Sequence, residues 1–416
     1  MTQLGVSAQR ASALTHVRHV TALALAHVVA TILCVNKGGY DAPGGAETRL
    51  RAVGARWARA GHRVVVVCGR TAADEPEWST EDGVTVRRVR VLPDFLLRRL
   101  GSGLLPQALF YLVAPPTVVA TARRFHADVV RDSMSPFSAL SLAGPLIHAP
   151  SIVVLHILFG GISGWRRYYP APYALFGALG ERLLLRGWLG HRHLVTDAPW
   201  VAADIRARAR PLPRVQAIEN GIDLASIPVR PARGRVTRLL NAARLVPHKG
   251  HQALVDACRT LVARGADFEL DLFGDGPLER SLRARIQAAG LAGRVRIGPA
   301  LPHGALLERL QDYDAYVMPS EQEGMPVVLL EAMAARVPVV VAGRPYATTL
   351  LPPETATFYD PERPDALADA LWAAMRAPSA FEAQATRARP WVEAFTWDRV
   401  AEREWALMAE AIEAAA

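Results

Sequence analysis

Two glutamates eight positions apart, Glu323 and Glu331, stand in the run PSEQEGMPVVLLEAMAARVP at 319–338. A short apolar strand (315–318) leads into Pro319-Ser320, a loop presents Glu323, and a helix is expected to begin near Met325–Pro326. Proline suits a first helical turn, and the open backbone N–H groups of that turn form an anion site. Carboxylates touching a bound diphosphate would be repelled by it. Glu323 and Glu331 are better used to accept hydrogen bonds from hydroxyls on either side, those of a ribose and of a sugar. A capped helix with a solvated glutamate accounts for the spacing equally well.

Arg244 and Lys249 stand five apart in AARLVPHKG, directly after a predicted strand. Two cations in a loop leading into a helix can neutralise a diphosphate as its charge develops on leaving. Gly274 and Gly276 follow a strand end in LFGDGP, a weak signal alone, because glycine pairs mostly make tight turns. Gly44 and Gly45 open the first helix in GGAE, where absent side chains let a phosphate or sugar approach the backbone. Of 48 basic residues only Lys37 and Lys249 are lysines. Both sit in glycine-bearing loops, as expected where a compact ammonium faces a phosphate. The arginine excess itself reads as codon bias.

The elements that must position these residues are legible. Short apolar runs at 27–35, 63–68, 84–91, 127–131, 151–156, 192–196 and 214–218 form a first block of predicted strands. Runs at 236–241, 267–273, 294–297, 314–318, 337–342 and 356–359 form a second. Val64–Val67 and Val337–Val341 are apolar throughout, as strands buried on both faces of a parallel sheet are. Amphipathic helices lie between, such as 46–60 (Leu50, Val53, Trp57) and 250–264 (Leu254, Ala257, Leu261). The pattern predicts an α/β chain of two doubly wound, Rossmann-like domains. The expected division is an extension at 1–26, a first domain at 27–223, a second at 224–396, and a C-terminal helix at 397–416 returning toward the first. Ligands of open parallel sheets sit beyond the carboxyl ends of the strands, so two facing sheets make a deep cleft.

Composition sets bounds. The chain has 416 residues, 51% of them apolar, enough for two cores. Cys34, Cys68 and Cys258 are too few and scattered for a disulfide framework or zinc site, which fits a reducing, cytoplasmic setting. The uncharged runs 19–36 and 133–165 are interrupted by polar residues or prolines and read as strands and loops, not membrane spans. No signal peptide is read at the N-terminus. The net charge of +9 is spread along the chain, which speaks against nucleic-acid binding.

Taken in order, these segments resemble glycosyltransferase family 4, whose members share the two-domain GT-B fold. The resemblance runs through GGAE, Gly61-His62-Arg63-Val64, ENGID (219–223), RL…KG (244–250), FGDGP (273–277) and the final pair of glutamates. It implies transfer of a hexose-type sugar from a nucleotide-diphosphate donor to an acceptor hydroxyl, with retained anomeric configuration, no metal and no cofactor. It assigns Glu323 to the donor sugar, Glu331 to the ribose, and Arg244, Lys249 and the amides near Met325–Val328 to the diphosphate. His156, at the end of a strand in IVVLHILFG, reads alone as a packed histidine; the resemblance makes it the group that holds the sugar or assists the acceptor. The HILFG run and ALGER (178–182) resemble a subgroup of the family.

Some positions depart from the family pattern. Arg336 stands where a glycine usually ends the helix; a left-handed cap would strain arginine, so a different ending is expected. The loop 342–347 lacks the usual double glycine and acidic residue, leaving the donor open. Asp312-Tyr313-Asp314 precedes its strand and reads as a helix end, not a metal motif. A nucleotide-sugar epimerase or a non-catalytic sugar-nucleotide binder on the same fold are the alternatives. A dehydrogenase is disfavoured, because no Gly-x-Gly-x-x-Gly follows the first strand. Residues 92–118 and 157–190, rich in leucine, aromatics and arginine, suit a lipid-linked acceptor at the inner membrane face, a soluble small molecule, or plain interdomain packing.

Overall fold

Valine-rich runs with no polar face become the centres of two parallel sheets. The computed structural model describes residues 29–41, 44–93, 104–134, 143–186, 193–211 and 213–415; the expected extension 1–26 lies outside them. The first sheet holds β1 (Thr31–Asn36), β2 (Arg63–Gly69), β3 (Trp78–Glu81), β4 (Val84–Val89), β5 (Val129–Met134), β6 (Ser151–Leu155), β7 (His193–Thr196) and β8 (Arg214–Ala217). Its order is β3-β4-β2-β1-β5-β6-β7-β8, and every pair is parallel except β3–β4. The second holds β9 (Arg238–Ala242), β10 (Glu269–Phe273), β11 (Val295–Gly298), β12 (Ala315–Met318), β13 (Val339–Ala342) and β14 (Thr357–Tyr359), all parallel in the order β11-β10-β9-β12-β13-β14. Both orders reverse direction about a central strand, as doubly wound sheets do.

Helices cover the faces. Those used below are α1 (Gly45–Arg59), α2 (Leu104–Phe125), α3 (Ile162–Tyr168), α4 (Ala171–Leu185), α5 (Pro199–Arg208), α6 (His251–Ala263), α7 (Glu279–Ala288), α8 (His303–Leu310), α9 (Val327–Ala334), α10 (Pro345–Thr348), α11 (Ala366–Arg376), α12 (Pro378–Val392) and α13 (Trp397–Glu413). The last of these returns to the first domain and packs on α1, β5 and β6. Trp57 Nε1 donates to Ala401 O at 2.9 Å, and Arg56 pairs with Asp398 at 2.8 Å. Beneath them Glu404 lies between Arg49 and Arg131, all three side chains fully buried. No described helix is long and apolar enough to cross a membrane.

Helix α9 ends differently from the expectation. Arg336 takes the left-handed conformation, φ 59°. Its amide bonds Met333 O at 3.1 Å and the Val337 amide bonds Ala332 O at 2.9 Å, which closes the helix as a Schellman cap. A non-glycine residue there is disfavoured by ~1–2 kcal/mol. Contacts offset that cost: Arg336 Nη2 reaches Thr386 Oγ1 at 3.0 Å, and Arg230 Nε donates to the Arg336 carbonyl at 3.3 Å.

Candidate active site

The loop after β9 carries Arg244 and Lys249, and the glycines after β10 support it from below. A Cβ on Gly274 would lie 1.9 Å from Ala243 O, and one on Gly276 2.5 Å from Leu245 O. The structure therefore places Gly274 and Gly276 against the Arg244 loop, with Leu245 N bonded to Asp275 O at 2.9 Å. A second loop, between β12 and α9, is locked to the first. Gly250 is left-handed, φ 74°, and a Cβ there would sit 2.0 Å from Pro319 O. Across this contact Lys249 Nζ meets Glu323 Oε1 at 2.5 Å, with both side chains largely buried. Cation and acid, read separately in the sequence, are direct partners.

The residue after Glu323 touches the opposite domain. A Cβ on Gly324 would lie 2.3 Å from His156 O and 2.6 Å from Asp197 Oδ1. His156 follows β6 and Asp197 follows β7, and these strands pair in parallel with Leu155 opposite Thr196. The two side chains consequently lie together, Nδ1 to Oδ2 at 2.8 Å. Asn220 Nδ2 donates to the same Oδ2 at 3.3 Å and to Met325 O at 2.7 Å. Met325 Sδ also accepts from Asn220 N at 3.0 Å. The ENGID segment thus bridges both domains at this point.

Helix α9 begins just beyond, with Pro326 as its N-cap residue and no side chain capping it. Pro326 has no amide hydrogen, so an anion here is left to the N–H groups of Val327 and Val328. One turn into the helix, buried Glu331 meets His303 Nε2 at 2.6 Å. That hydrogen bond lifts the His303 pKa above its ordinary value. Burial, aided by the charges of Glu323 and Glu331, holds the Tyr316 hydroxyl protonated, and it donates to Ala242 O at 3.2 Å.

Lys37 follows β1 in the first domain. Burial pushes its pKa down to about 8; Glu47 opposes that shift and the guanidinium of Arg244 adds to it. Lys37 and Arg244 are therefore close across the domain seam. The glycine crook beside them is filled from within: Cβ atoms on Gly38 and Gly44 would lie 2.4 and 2.2 Å from the Glu47 carboxylate. Gly45 has open space on its Cβ side. Next to Lys249, His248 enters a ring of Phe159, Tyr168 and Tyr169 at centroid distances of 5.7, 5.7 and 6.3 Å. Burial, with Lys249 and Arg244 nearby, pushes its pKa down to about 2, so it is neutral. Tyr168 and Arg167 both bond Glu321, at 2.9 and 2.8 Å. In the Asp312–Asp314 segment the carboxylate of buried Asp314 serves packing: it accepts from the amides of Thr237 and Arg238, each at 2.9 Å.

Two family models cover this architecture. Residues 44–221 match the glycosyl transferase 4-like domain, and residues 227–391 match glycosyl transferases group 1. The chain belongs to glycosyltransferase family 4. Among its relatives, the amylovoran biosynthesis glycosyltransferase AmsK of Erwinia amylovora is 32% identical over 31% of this chain. That alignment spans 34% of AmsK, about a third of its length. The D-inositol 3-phosphate glycosyltransferase of Jonesia denitrificans is 26% identical over 90% of this chain and 94% of its own. Among solved structures, Anabaena HepE with UDP and glucose superposes with a TM-score of 0.70 and 17% identity, over 92% of this chain and all of HepE. The fold is GT-B.

Within this family 4 chain, three contributors escaped the sequence reading: Asp197, Asn220 as a bridge, and His303. Asn220 lay inside a quoted motif without a role. The signal for Asp197 was its position at the carboxyl end of the strand next to that of His156.

Proposed function

We propose that this chain is a retaining glycosyltransferase that moves a hexose-type sugar from a nucleotide-diphosphate donor to an acceptor hydroxyl. The observation that carries the reading is the Lys249–Glu323 contact at the domain seam, with the field of Arg244 reaching His248 and Lys37 beside it. Arg244, Lys249 and the first amides of α9 grip the diphosphate; Glu323 turns to the sugar hydroxyls and Glu331 to the ribose. In the transfer step the bond from the anomeric carbon to the phosphate oxygen breaks and the nucleoside diphosphate departs with the electron pair. The acceptor oxygen bonds to the same carbon from the face the diphosphate leaves, and its proton passes to the departing phosphate. The cations stabilise charge that grows only as that bond breaks, which lowers the barrier rather than tightening ground-state binding. No metal or cofactor is needed in this scheme. HepE, described with UDP-glucose, supports a donor of this class.

In this proposal residues 27–223 receive the acceptor, residues 224–396 hold the donor, and the chain works in the cytoplasm. The acceptor is a glycan, a lipid-linked sugar or a small natural product. Incubation with UDP-, GDP- and ADP-sugars, followed by NMR of the released or transferred sugar, tests the reading. One donor yields product with its anomeric configuration kept, and Glu323→Ala and Lys249→Ala each abolish it while the fold persists. Full activity in either variant removes that residue from the site; an epimerised donor without transfer replaces the reaction class.

A further inference from the structure

His156 is held from behind by a chain of buried polar groups that runs back to the C-terminal helix. Asp197 Oδ2 lies 2.8 Å from His156 Nδ1. A carboxylate only accepts, so Nδ1 carries the hydrogen, and in the neutral ring Nε2 bears the lone pair. That Nε2 is shielded from solvent and has no protein partner. Asn220 lies 3.3 Å from the same carboxylate oxygen, and its own orientation is settled by neighbours. Arg49 Nη1 donates to Asn220 Oδ1 at 2.8 Å, so Nδ2 must point at Asp197 and Met325 O. Arg49 is in turn fixed by Glu404. Four elements thus converge on one imidazole, whose Nε2 the transfer scheme above leaves without a role.

We propose that Asp197 is a positioning residue. It keeps His156 in the Nδ1–H form and presents Nε2 as a hydrogen-bond acceptor to a substrate hydroxyl, while Asn220 ties the same carboxylate to the loop bearing Glu323. A sugar or acceptor hydroxyl donates to Nε2; a carbonyl or other group that only accepts finds no donor there. The carboxylate stays in place throughout and exchanges no proton with substrate. Because Asn220 reaches Met325 O, the arrangement is complete only while the two domains are closed on each other. The assignment of a substrate hydroxyl to Nε2 rests on the proposed transfer reaction; the tautomer does not.

The test joins a spectroscopic readout with kinetics. In the parent protein, 15N shifts of the His156 ring report hydrogen on Nδ1. In Asp197→Ala they move to hydrogen on Nε2, and kcat falls about 10²-fold while donor KM stays put, the usual effect of a misplaced reacting group. Asp197→Asn keeps an amide oxygen where Oδ2 stood and recovers both the Nδ1–H signature and most of kcat. In a His156→Ala background, Asp197→Ala costs nothing further. Retention of the Nδ1–H form in Asp197→Ala, or an equal loss in the His156→Ala background, overturns the proposal. The ring shifts are read without substrate, so an absent transferase activity leaves this test standing.

Discussion

Replacing Glu404 by glutamine removes one negative charge from between two buried guanidinium groups. Arg49 Nη2 and Arg131 Nε approach its two oxygens at 2.5 and 2.7 Å, and all three side chains are inaccessible to solvent. The favourable fields of Arg131 and Arg49 outweigh burial and hold the Glu404 pKa down at about 2, from an ordinary 4.5. At 1.36 kcal/mol per unit, that depression corresponds to about 3 kcal/mol. Breaking a buried pair by removing one partner gives the same scale independently, about 3–5 kcal/mol. The sign follows from linkage. A lowered carboxylate pKa stabilises the fold above about 4.5, and that contribution disappears as pH falls toward about 2. Urea unfolding of Glu404→Gln at pH 7, followed by the fluorescence of Trp57, Trp397 and Trp405, should therefore show a loss of about 3 kcal/mol in the first-domain transition. Between pH 4.5 and 2 the parent should converge on the variant. A loss below about 1 kcal/mol, or a pH-independent gap, refutes the reasoning.

Gly324→Ala brings a Cβ to 2.3 Å from His156 O, so the Glu323 loop must retreat; kcat should drop about 10²-fold, and an unchanged kcat in steady-state assays counts against the seam. Lys37, with its pKa lowered to about 8, loses its charge as pH rises through that value, so donor affinity should weaken there in calorimetry and the dependence should vanish in Lys37→Ala. His303 has a raised pKa through Glu331, so its stabilising contribution is full below 6.5 and fades as pH rises through the folded value. His303→Ala should accordingly raise donor KM and flatten its dependence on pH near neutrality; an unaltered profile separates His303 from donor binding.

The strands were readable because burial on both faces leaves no polar position: the run Val64–Val67 can be little else. β3 was missed because Trp-Ser-Thr-Glu is a polar edge strand stabilised mainly by its antiparallel partner β4. The Glu323 and Arg244 loops were found from residue type and spacing. Their mutual contact was not, since it depends on Gly250 letting Pro319 approach. Asp197 was hidden for a related reason. Residues 156 and 197 become neighbours only once the pairing of β6 with β7 and its register are known, and register is a property of the sheet rather than of either segment. Arg336 shows the reverse case, a sound local rule overruled by tertiary contacts to Thr386 and Arg230.

Calorimetric titration of UDP, GDP and ADP into the parent protein, Arg244→Ala and Lys249→Ala tests the central claim most directly. One nucleoside diphosphate should bind the parent, and each variant should lose at least about tenfold in affinity, the equivalent of ~1.4 kcal/mol per charge-assisted contact. Equal affinity in parent and variants would mean that the diphosphate is gripped elsewhere, and the proposed site would be wrong.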